Sequence, residues 1–233
     1  MRKLRAIAFD LDDTLYPERD YALSGFSAVA TWAEAALGMP QELVYDELKG
    51  LFAAGVRRTT FNQWLEGHGL ASETWLAEMV NQYRQHVPEL DPFPEVVELL
   101  RALHGSYRLA ILTQGYASGQ RSKIKALDVE HYFEKILILA ETEREQWKPN
   151  RKAFERLLTG LDLPADQVVY VGDNPEKDFF GARQVGIRTV RVRRAGAEHG
   201  HKEPIEPSYA PDLEISALQA LPEALGLELG LIR

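Results

Sequence analysis

Three aspartates crowd into four positions directly after a short apolar run near the amino terminus. The run covers residues 6–9, and the acidic residues are Asp10, Asp12 and Asp13. Such a run predicts a buried strand, and packing alone would not place charges at its end, because buried carboxylates need partners or a metal. Since strand side chains alternate between faces, we expect Asp10 and Asp12 to share one face and Asp13 to take the other. Two carboxylates on one face predict a site for a hard cation.

The length and composition exclude several kinds of protein and site. The chain has 233 residues, which fits one domain of ordinary size or a domain with a sizeable insert. It has no cysteine, which excludes disulfides and thiolate metal sites. A formal net charge of −8 disfavours a broad basic face for nucleic acid, and no apolar run reaches the length of a membrane span. We therefore expect a cytoplasmic protein with no nucleic-acid or membrane partner.

The segment from residue 17 to residue 92 carries helical patterns and no strong strand signal. Apolar residues three and four positions apart, ending before Gly38, predict a first helix. Three further helices are predicted at residues 40–54, 61–66 and 76–87. The last has an apolar stripe that reaches Val87. Four helices with apolar faces of their own predict a small bundle.

From residue 93 onward, strands alternate with helices. Strands are predicted at residues 4–11, 109–113, 136–140, 168–171 and 187–192. Helices between them are predicted to begin at Pro94, Ser118, Asn150 and Asn174. Residues 194–211 are predicted to form a polar surface loop. Residues 215–225 are predicted to form a last segment that contains a helix. The alternation predicts an α/β fold, a doubly wound parallel sheet with helices on both faces.

Polar residues that follow the predicted strands are candidates for a site, because ligands of open α/β sheets bind at the carboxyl ends of the strands. Thr113, Gln114 and Gly115 follow the second strand, where a hydroxyl, an amide and backbone N–H groups could cradle a phosphate. An ordinary turn is the alternative. Lys148 follows the third strand, and its alternative is a surface lysine before the helix-starting Pro149.

The fourth strand is followed by Asp173 and, five residues later, Asp178. The alternative here is the turn chemistry of Asn174 and its neighbours at a helix start. If the strands are adjacent, Asp173 would face Asp10 and Asp12. Oxygens from three aspartates, together with waters, suit an octahedral Mg²⁺.

The four motifs, in this order, resemble those of the haloacid dehalogenase-like hydrolases. The first reads Asp10-Leu-Asp12-Asp-Thr-Leu, and the resemblance implies that Asp10 is a nucleophile and Asp12 a general acid/base. It also implies that Thr113 binds a phosphoryl group, with Gln114 standing where the family often has asparagine. Lys148 would offset the negative charge of nucleophile and phosphate.

The resemblance also extends to the metal and to the domains. Asp10, Asp12 and Asp173 are implied as Mg²⁺ ligands, and Asp178 as an acid that ligates through water or steadies Lys148. The core would be Rossmann-like and cover residues 1–16 and 93–233. Residues 17–92 would be a four-helix cap inserted directly after the nucleophile loop.

A Mg²⁺-dependent phosphatase is the function that the resemblance implies. It would hydrolyse a small phosphorylated metabolite through an aspartyl phosphate and would be a monomer or a homodimer. A phosphomutase would share every catalytic residue. A 2-haloacid dehalogenase is disfavoured by the presence of Asp12 and Asp173. A non-catalytic phosphate-binding module is disfavoured because Asp10, Asp12, Lys148 and Asp173 are all present.

Two further polar clusters invite a functional interpretation. Arg57 and Arg58 lie in the loop between the second and third predicted cap helices, and could bind a second anionic or polar group of the substrate. A solvated loop is the alternative. His199 and His201 could be a metal pair, but we expect them in a solvated loop far from the acidic strand ends.

Overall fold

Within residues 3–229, the part of the chain that the computed structural model describes, the centre of the fold is a six-stranded parallel sheet. Its strands are β1 (Ala6–Phe9), β2 (Arg108–Gly115), β3 (Lys135–Ala140), β4 (Val168–Gly172), β5 (Arg188–Val192) and β6 (Leu213–Ile215). Their order across the sheet is β3-β2-β1-β4-β5-β6. This confirms the predicted doubly wound α/β class, because the chain moves outward from β1 first on one side and then on the other.

Eight of the described helices connect these strands, and the last one follows β6. They are α1 (Glu18–Leu37), α2 (Gln41–Ala53), α3 (Thr60–Gly67), α4 (Glu73–Gln85), α5 (Val96–Leu103), α6 (Ala117–Ala126), α7 (Arg151–Leu161), α8 (Phe180–Gln184) and α9 (Leu221–Leu225). Among the described helices, none combines the length and the apolar composition that crossing a membrane would require.

The chain divides into two compact units. One contains the sheet and comprises residues 3–18 and 91–229 of the described chain. Its core packs α7 against the sheet: Phe154 and Leu157 are fully buried with Tyr170 of β4. The side chain of Asn150 accepts a hydrogen bond from the backbone N–H of Lys152, 3.0 Å away, so this residue caps α7 as predicted.

The other unit, Arg19–Leu90, is helical. Its core is built from the apolar stripe of α1 together with residues of the three helices that follow. The fully buried members include Val29, Leu48 and Met79. The stripe of α1 matches the spacing of three and four residues seen in the sequence.

Two predicted elements differ from the structure, and one strand was not predicted. Helix α4 ends at Gln85 and Val87 is 85% exposed, because His86 is already extended and Pro88 disfavours a helical residue before it. No helix begins at Asn174; the chain turns there, with the side chain of Asn174 accepting from the backbone N–H of Glu176, and α8 begins only at Phe180. Strand β6 was not predicted, since three residues carry too short a pattern.

Candidate active site

The acidic residues after β1 lie at the point where the strand order reverses. The backbone N–H of Asp10 donates to the carbonyl of Val171 in β4 at 2.8 Å, so Asp10 directly continues the sheet. On the other side, Phe9 pairs with Ile111 of β2. The residues that follow β2, β1 and β4 therefore lie close together at the carboxyl edge of the sheet. Open α/β sheets bind ligands at this edge.

Three of the predicted acids form one group. The carboxylates of Asp10, Asp173 and Asp178 offer oxygen atoms that all lie within 4.8 Å of one another. The ammonium of Lys148 lies 2.8 Å from Asp10 Oδ1 and 2.7 Å from Asp178 Oδ1. It also donates to the hydroxyl of Tyr170 at 2.8 Å. Lys148 is thus a buried member of the site, not a surface lysine.

The charges of this group are not balanced. Burial raises the pKa of Asp10 to about 6; the ammonium of Lys148 lowers it, and the carboxylates of Asp178 and Asp12 raise it again. Burial, with Asp178 and Asp10 nearby, raises the pKa of Asp173 well above its usual range. Burial alone would lower the pKa of Lys148, but Asp10 and Asp178 together raise it. One ammonium faces three carboxylates among these side chains.

The donor set fits a divalent cation. Asp173 Oδ2 is buried and has no hydrogen-bond partner among the described residues, so an acceptor is left over in a site of excess negative charge. Carboxylate oxygens are the ligands that Mg²⁺ prefers. Asp10, Asp173 and Asp178 could therefore hold Mg²⁺.

The carboxylate of Asp12 lies outside that group, and a role of Asp12 as a metal ligand stays a prediction. Strand β1 ends at Phe9, so the alternation that would place Asp10 and Asp12 on one face does not continue. Instead, Asp12 Oδ1 lies 2.8 Å from the ammonium of Lys123 and accepts from the hydroxyl of Tyr16. Burial favours the neutral acid, but these donors keep the pKa of Asp12 below its usual value.

Residues 113–115 form the last positions of β2, not a turn after it. The hydroxyl of Thr113 is buried and accepts from Gln120 Nε2 at 2.6 Å. Gln114 Oε1 is buried without a hydrogen-bond partner among the described residues. The backbone of Gly115 has a φ angle of 148°, a conformation that glycine adopts more readily than other residues.

Several residues at the site were missed by the sequence reasoning. Gln120 and Lys123 of α6 reach Asp12, Tyr170 of β4 reaches Lys148, and Tyr16 also bonds to Asp12. Only the spacing of Gln120 and Lys123, three positions apart on a predicted helix that follows Thr113, could have drawn attention to them.

The loop after β5 is not far from the acidic strand ends, contrary to the prediction. The backbone N–H of Glu198 donates to Asp13 Oδ2 at 2.9 Å. The fully buried guanidinium of Arg191 donates to the carbonyls of Asp173 and His199, at 3.1 and 2.9 Å. His199 is half-buried, and burial, together with Lys202, lowers its pKa to about 4. The loop is therefore tied to the site by its backbone.

The two arginines of the helical unit have different surroundings. Arg57 donates to the carbonyls of Phe52 and Val56, and its guanidinium lies 3.8 Å from the centre of the Phe52 ring. These contacts follow the end of α2, where a cation is favoured by the free carbonyls and the helix dipole. Arg58 is exposed. Substrate binding by either arginine stays a prediction.

Gly172, the last residue of β4, has no room for a side chain. A Cβ atom there would lie 2.5 Å from Asp178 Oδ2, and Asp178 is held by Lys148 and by the N–H of Asn174. Gly172→Ala is expected to lower the free energy of unfolding by about 1–3 kcal/mol, measured by urea unfolding. Gly50→Ala, inside α2 with no atom within 4 Å of the new Cβ beyond its chain neighbours and its own helix backbone, is the matched control and should stabilise by about 0.5–1 kcal/mol. Equal stability of Gly172→Ala and wild type would contradict this packing.

Comparison with known proteins gives a consistent result. A family model described as haloacid dehalogenase-like hydrolase matches residues 7–192. The glyceraldehyde 3-phosphate phosphatase of Methanopyrus kandleri is 32% identical over 91% of this chain and 93% of its own length. The phosphoserine phosphatase of Thermus thermophilus is 31% identical over 96% of this chain and 84% of its own length.

Among solved structures, the 2-haloacid dehalogenase of Pseudomonas syringae is similar with a TM-score of 0.61 and 25% identity. The match covers 96% of this chain and 98% of that protein.

Proposed function

The chain belongs to the haloacid dehalogenase-like hydrolases, and we propose that within this family it is a Mg²⁺-dependent phosphatase of small phosphorylated metabolites. The observation that carries the proposal is the position of Asp10, which contacts the ammonium of Lys148 and lies near Asp173, whose Oδ2 has no hydrogen-bond partner among the described residues. A nucleophile placed beside a fixed cation and a set of cation ligands suits attack on a phosphate dianion.

Asp10 attacks phosphorus in line and forms an aspartyl phosphate, while the bond to the leaving oxygen breaks. Asp12 acts as the general acid/base: in its protonated form it gives a proton to that oxygen, and as the carboxylate it takes one from the water that hydrolyses the intermediate. Because its donors keep the pKa of Asp12 low, the protonated form requires the negative charge of the bound substrate dianion to raise that pKa. Thr113 and nearby backbone N–H groups bind the phosphoryl oxygens. When bound by Asp10, Asp173 and Asp178, Mg²⁺ would screen the charge of the dianion.

Lys148 acts mainly through its charge and through the orientation of Asp10. An ammonium has three N–H donors, and here Asp10, Asp178 and Tyr170 provide three acceptors. A hydrogen bond to the phosphoryl group would have to replace one of these. The prediction from the sequence was only that Lys148 offsets negative charge. We add that Lys148 orients Asp10.

The substrate class is proposed from the relatives and from the helical unit. The two phosphatases that are about one-third identical are named for glyceraldehyde 3-phosphate and phosphoserine, which are small monoesters. We propose that residues 19–90 form a cap that admits such metabolites and not phosphoproteins. The predicted cytoplasmic location and the monomeric or homodimeric state stay predictions.

Phosphate release from a panel of metabolites tests the function. The panel contains glyceraldehyde 3-phosphate, phosphoserine, glycerol phosphate, p-nitrophenyl phosphate and a phosphopeptide, each with Mg²⁺ or with excess chelator. We expect turnover of small monoesters only with Mg²⁺. Full activity after exhaustive chelation, or release of halide from 2-chloropropionate without any phosphatase activity, would overturn the proposal. Conversion of a sugar phosphate to its isomer would favour the phosphomutase.

Mg²⁺ is expected to stabilise the protein in a pH-dependent way. Because the pKa values of Asp10 and Asp173 are raised, their contribution to stability is present at low pH and is lost as the pH rises through about 6 for Asp10. The cation binds the ionised forms, so its effect should be larger at about pH 7.5 than at about pH 5.5. At a concentration about 100 times Kd it should raise Tm by roughly 5–10 °C.

Thermal unfolding with and without Mg²⁺ measures this effect. Asp173→Asn should lose most of the shift, whereas Asp128→Asn, an exposed acid outside the site, should keep it. A shift of equal size in Asp173→Asn would contradict the proposed ligand set.

A further inference from the structure

Helix α6 points two buried polar side chains at Asp12. Lys123 is 6% exposed and its ammonium lies 2.8 Å from Asp12 Oδ1. Gln120, three residues earlier and on the same side of the helix, is 3% exposed and donates to Asp12 Oδ2 at 3.0 Å. The two donors therefore take one carboxylate oxygen each, and both fix the plane of the group.

The amide of Gln120 also joins Asp12 to the phosphate-binding end of β2. Its Nε2 lies 2.6 Å from Thr113 Oγ1 and 3.0 Å from Asp12 Oδ2. A single side chain thus sets the distance between the carboxyl group and the hydroxyl proposed to bind the phosphoryl oxygens. Tyr16 adds a third donor to Asp12 Oδ1.

Folding alone does not account for this arrangement. Burying an ammonium and a carboxylate together is often no better for stability than an apolar pair of the same volume. A lysine on α6 can also be exposed to solvent, as Lys125 is, two residues after Lys123. The buried pair is therefore suited to fixing the orientation of Asp12.

We propose that Gln120 and Lys123 are positioning residues that hold the carboxyl group of Asp12 against the leaving oxygen of the substrate. The inference rests on the proposed phosphatase function. It concerns orientation: a proton donor contributes about 10²–10⁴-fold only when it lies within hydrogen-bond reach of the atom that receives the proton.

The dependence of kcat/KM on the leaving group distinguishes a positioning role from a merely structural one, which would lower kcat/KM equally for all substrates. An alkoxide leaves only with a proton, whereas p-nitrophenolate is stable without one. Losing the orientation of Asp12 should therefore lower kcat/KM for glycerol phosphate far more than for p-nitrophenyl phosphate. The kcat/KM value reports the steps up to transfer of the phosphoryl group, so slow hydrolysis of the aspartyl phosphate does not mask the effect.

Lys123→Met and Gln120→Leu are to be assayed on both substrates with saturating Mg²⁺. We expect each variant to lower kcat/KM for glycerol phosphate about 10–100-fold and for p-nitrophenyl phosphate less than about threefold. Lys123→Arg should restore part of the loss, and the matched control Lys125→Met should behave as wild type. If Lys123→Met does not fold, as judged by circular dichroism, Gln120→Leu carries the test without removing a charge.

A double-mutant cycle with Asp12→Asn checks that the effect passes through Asp12. In that background, Lys123→Met should cause no further loss on glycerol phosphate, because there is no proton donor left to orient. Equal losses on both substrates, or a loss that persists in the Asp12→Asn background, would overturn the proposal. A rise in KM confined to phosphoserine would also overturn it, and would assign Lys123 to the substrate carboxylate instead.

The two failures can be told apart. A wild-type enzyme that hydrolyses neither ester with Mg²⁺ overturns the proposed function, and with it the role of Gln120 and Lys123. A wild type that hydrolyses both, with variants that lose activity equally on both, overturns only the positioning role.

Discussion

Replacing Lys148 with methionine is expected to reduce both stability and activity strongly. The ammonium is buried between Asp10 and Asp178, so its removal leaves two buried carboxylates without a cation. Breaking a buried ion pair from one side costs about 3–5 kcal/mol. Losing a fixed positive charge at the reacting group should lower kcat/KM by roughly 10²–10³-fold. Urea unfolding and phosphate release measure the two effects.

The exposed Lys152, at the start of α7, provides the matched control, and Lys152→Met should change neither quantity. In the double variant Lys148→Met with Asp178→Asn, part of the stability should return because one unpaired carboxylate is gone. Activity should stay low. If activity returned together with stability, Lys148 would be a structural residue only.

Replacing Asp10 with asparagine is expected to abolish turnover, by more than about 10⁴-fold, because an amide cannot form the acyl phosphate. The fold should not suffer. The pKa of Asp10 is raised to about 6, so above that pH the ionised carboxyl destabilises the metal-free protein, and the variant should melt no lower than wild type.

Asp46→Asn, at an exposed position of α2, controls for the loss of one acidic side chain and should keep full activity. Substantial turnover by Asp10→Asn, after exclusion of deamidation by mass spectrometry, would show that another group attacks phosphorus.

The sheet and most of the site could be predicted because strands that are buried on both faces form continuous apolar runs in the sequence. Once β1 and β4 are recognised as neighbouring strands, the residues at their carboxyl ends must converge, and this brought Asp10 and Asp173 together in the prediction. Lys148, which follows β3, was assigned to the site by the resemblance of its motif. The short strand β6 and the early end of α4 were not predicted, since both depend on local backbone geometry.

The surroundings of Asp12 could not be predicted for a different reason. Gln120 and Lys123 look like ordinary solvated positions of a helix, and only the packing of α6 against the sheet buries them. The same holds for Tyr170, which reads as one more strand residue although its hydroxyl contacts Lys148. The loop around His199 is fixed by Arg191, a buried arginine that the strand pattern does not distinguish.

Trapping the covalent intermediate tests the central claim most directly. The protein is mixed with substrate and Mg²⁺, quenched in acid and treated with borohydride, which reduces an acyl phosphate to an alcohol, and its peptides are then analysed by mass spectrometry. We expect the reduced residue at position 10 in the wild type and none in Asp10→Asn. Turnover that leaves Asp10 unreduced, or reduction at a different carboxylate, would contradict the proposed mechanism.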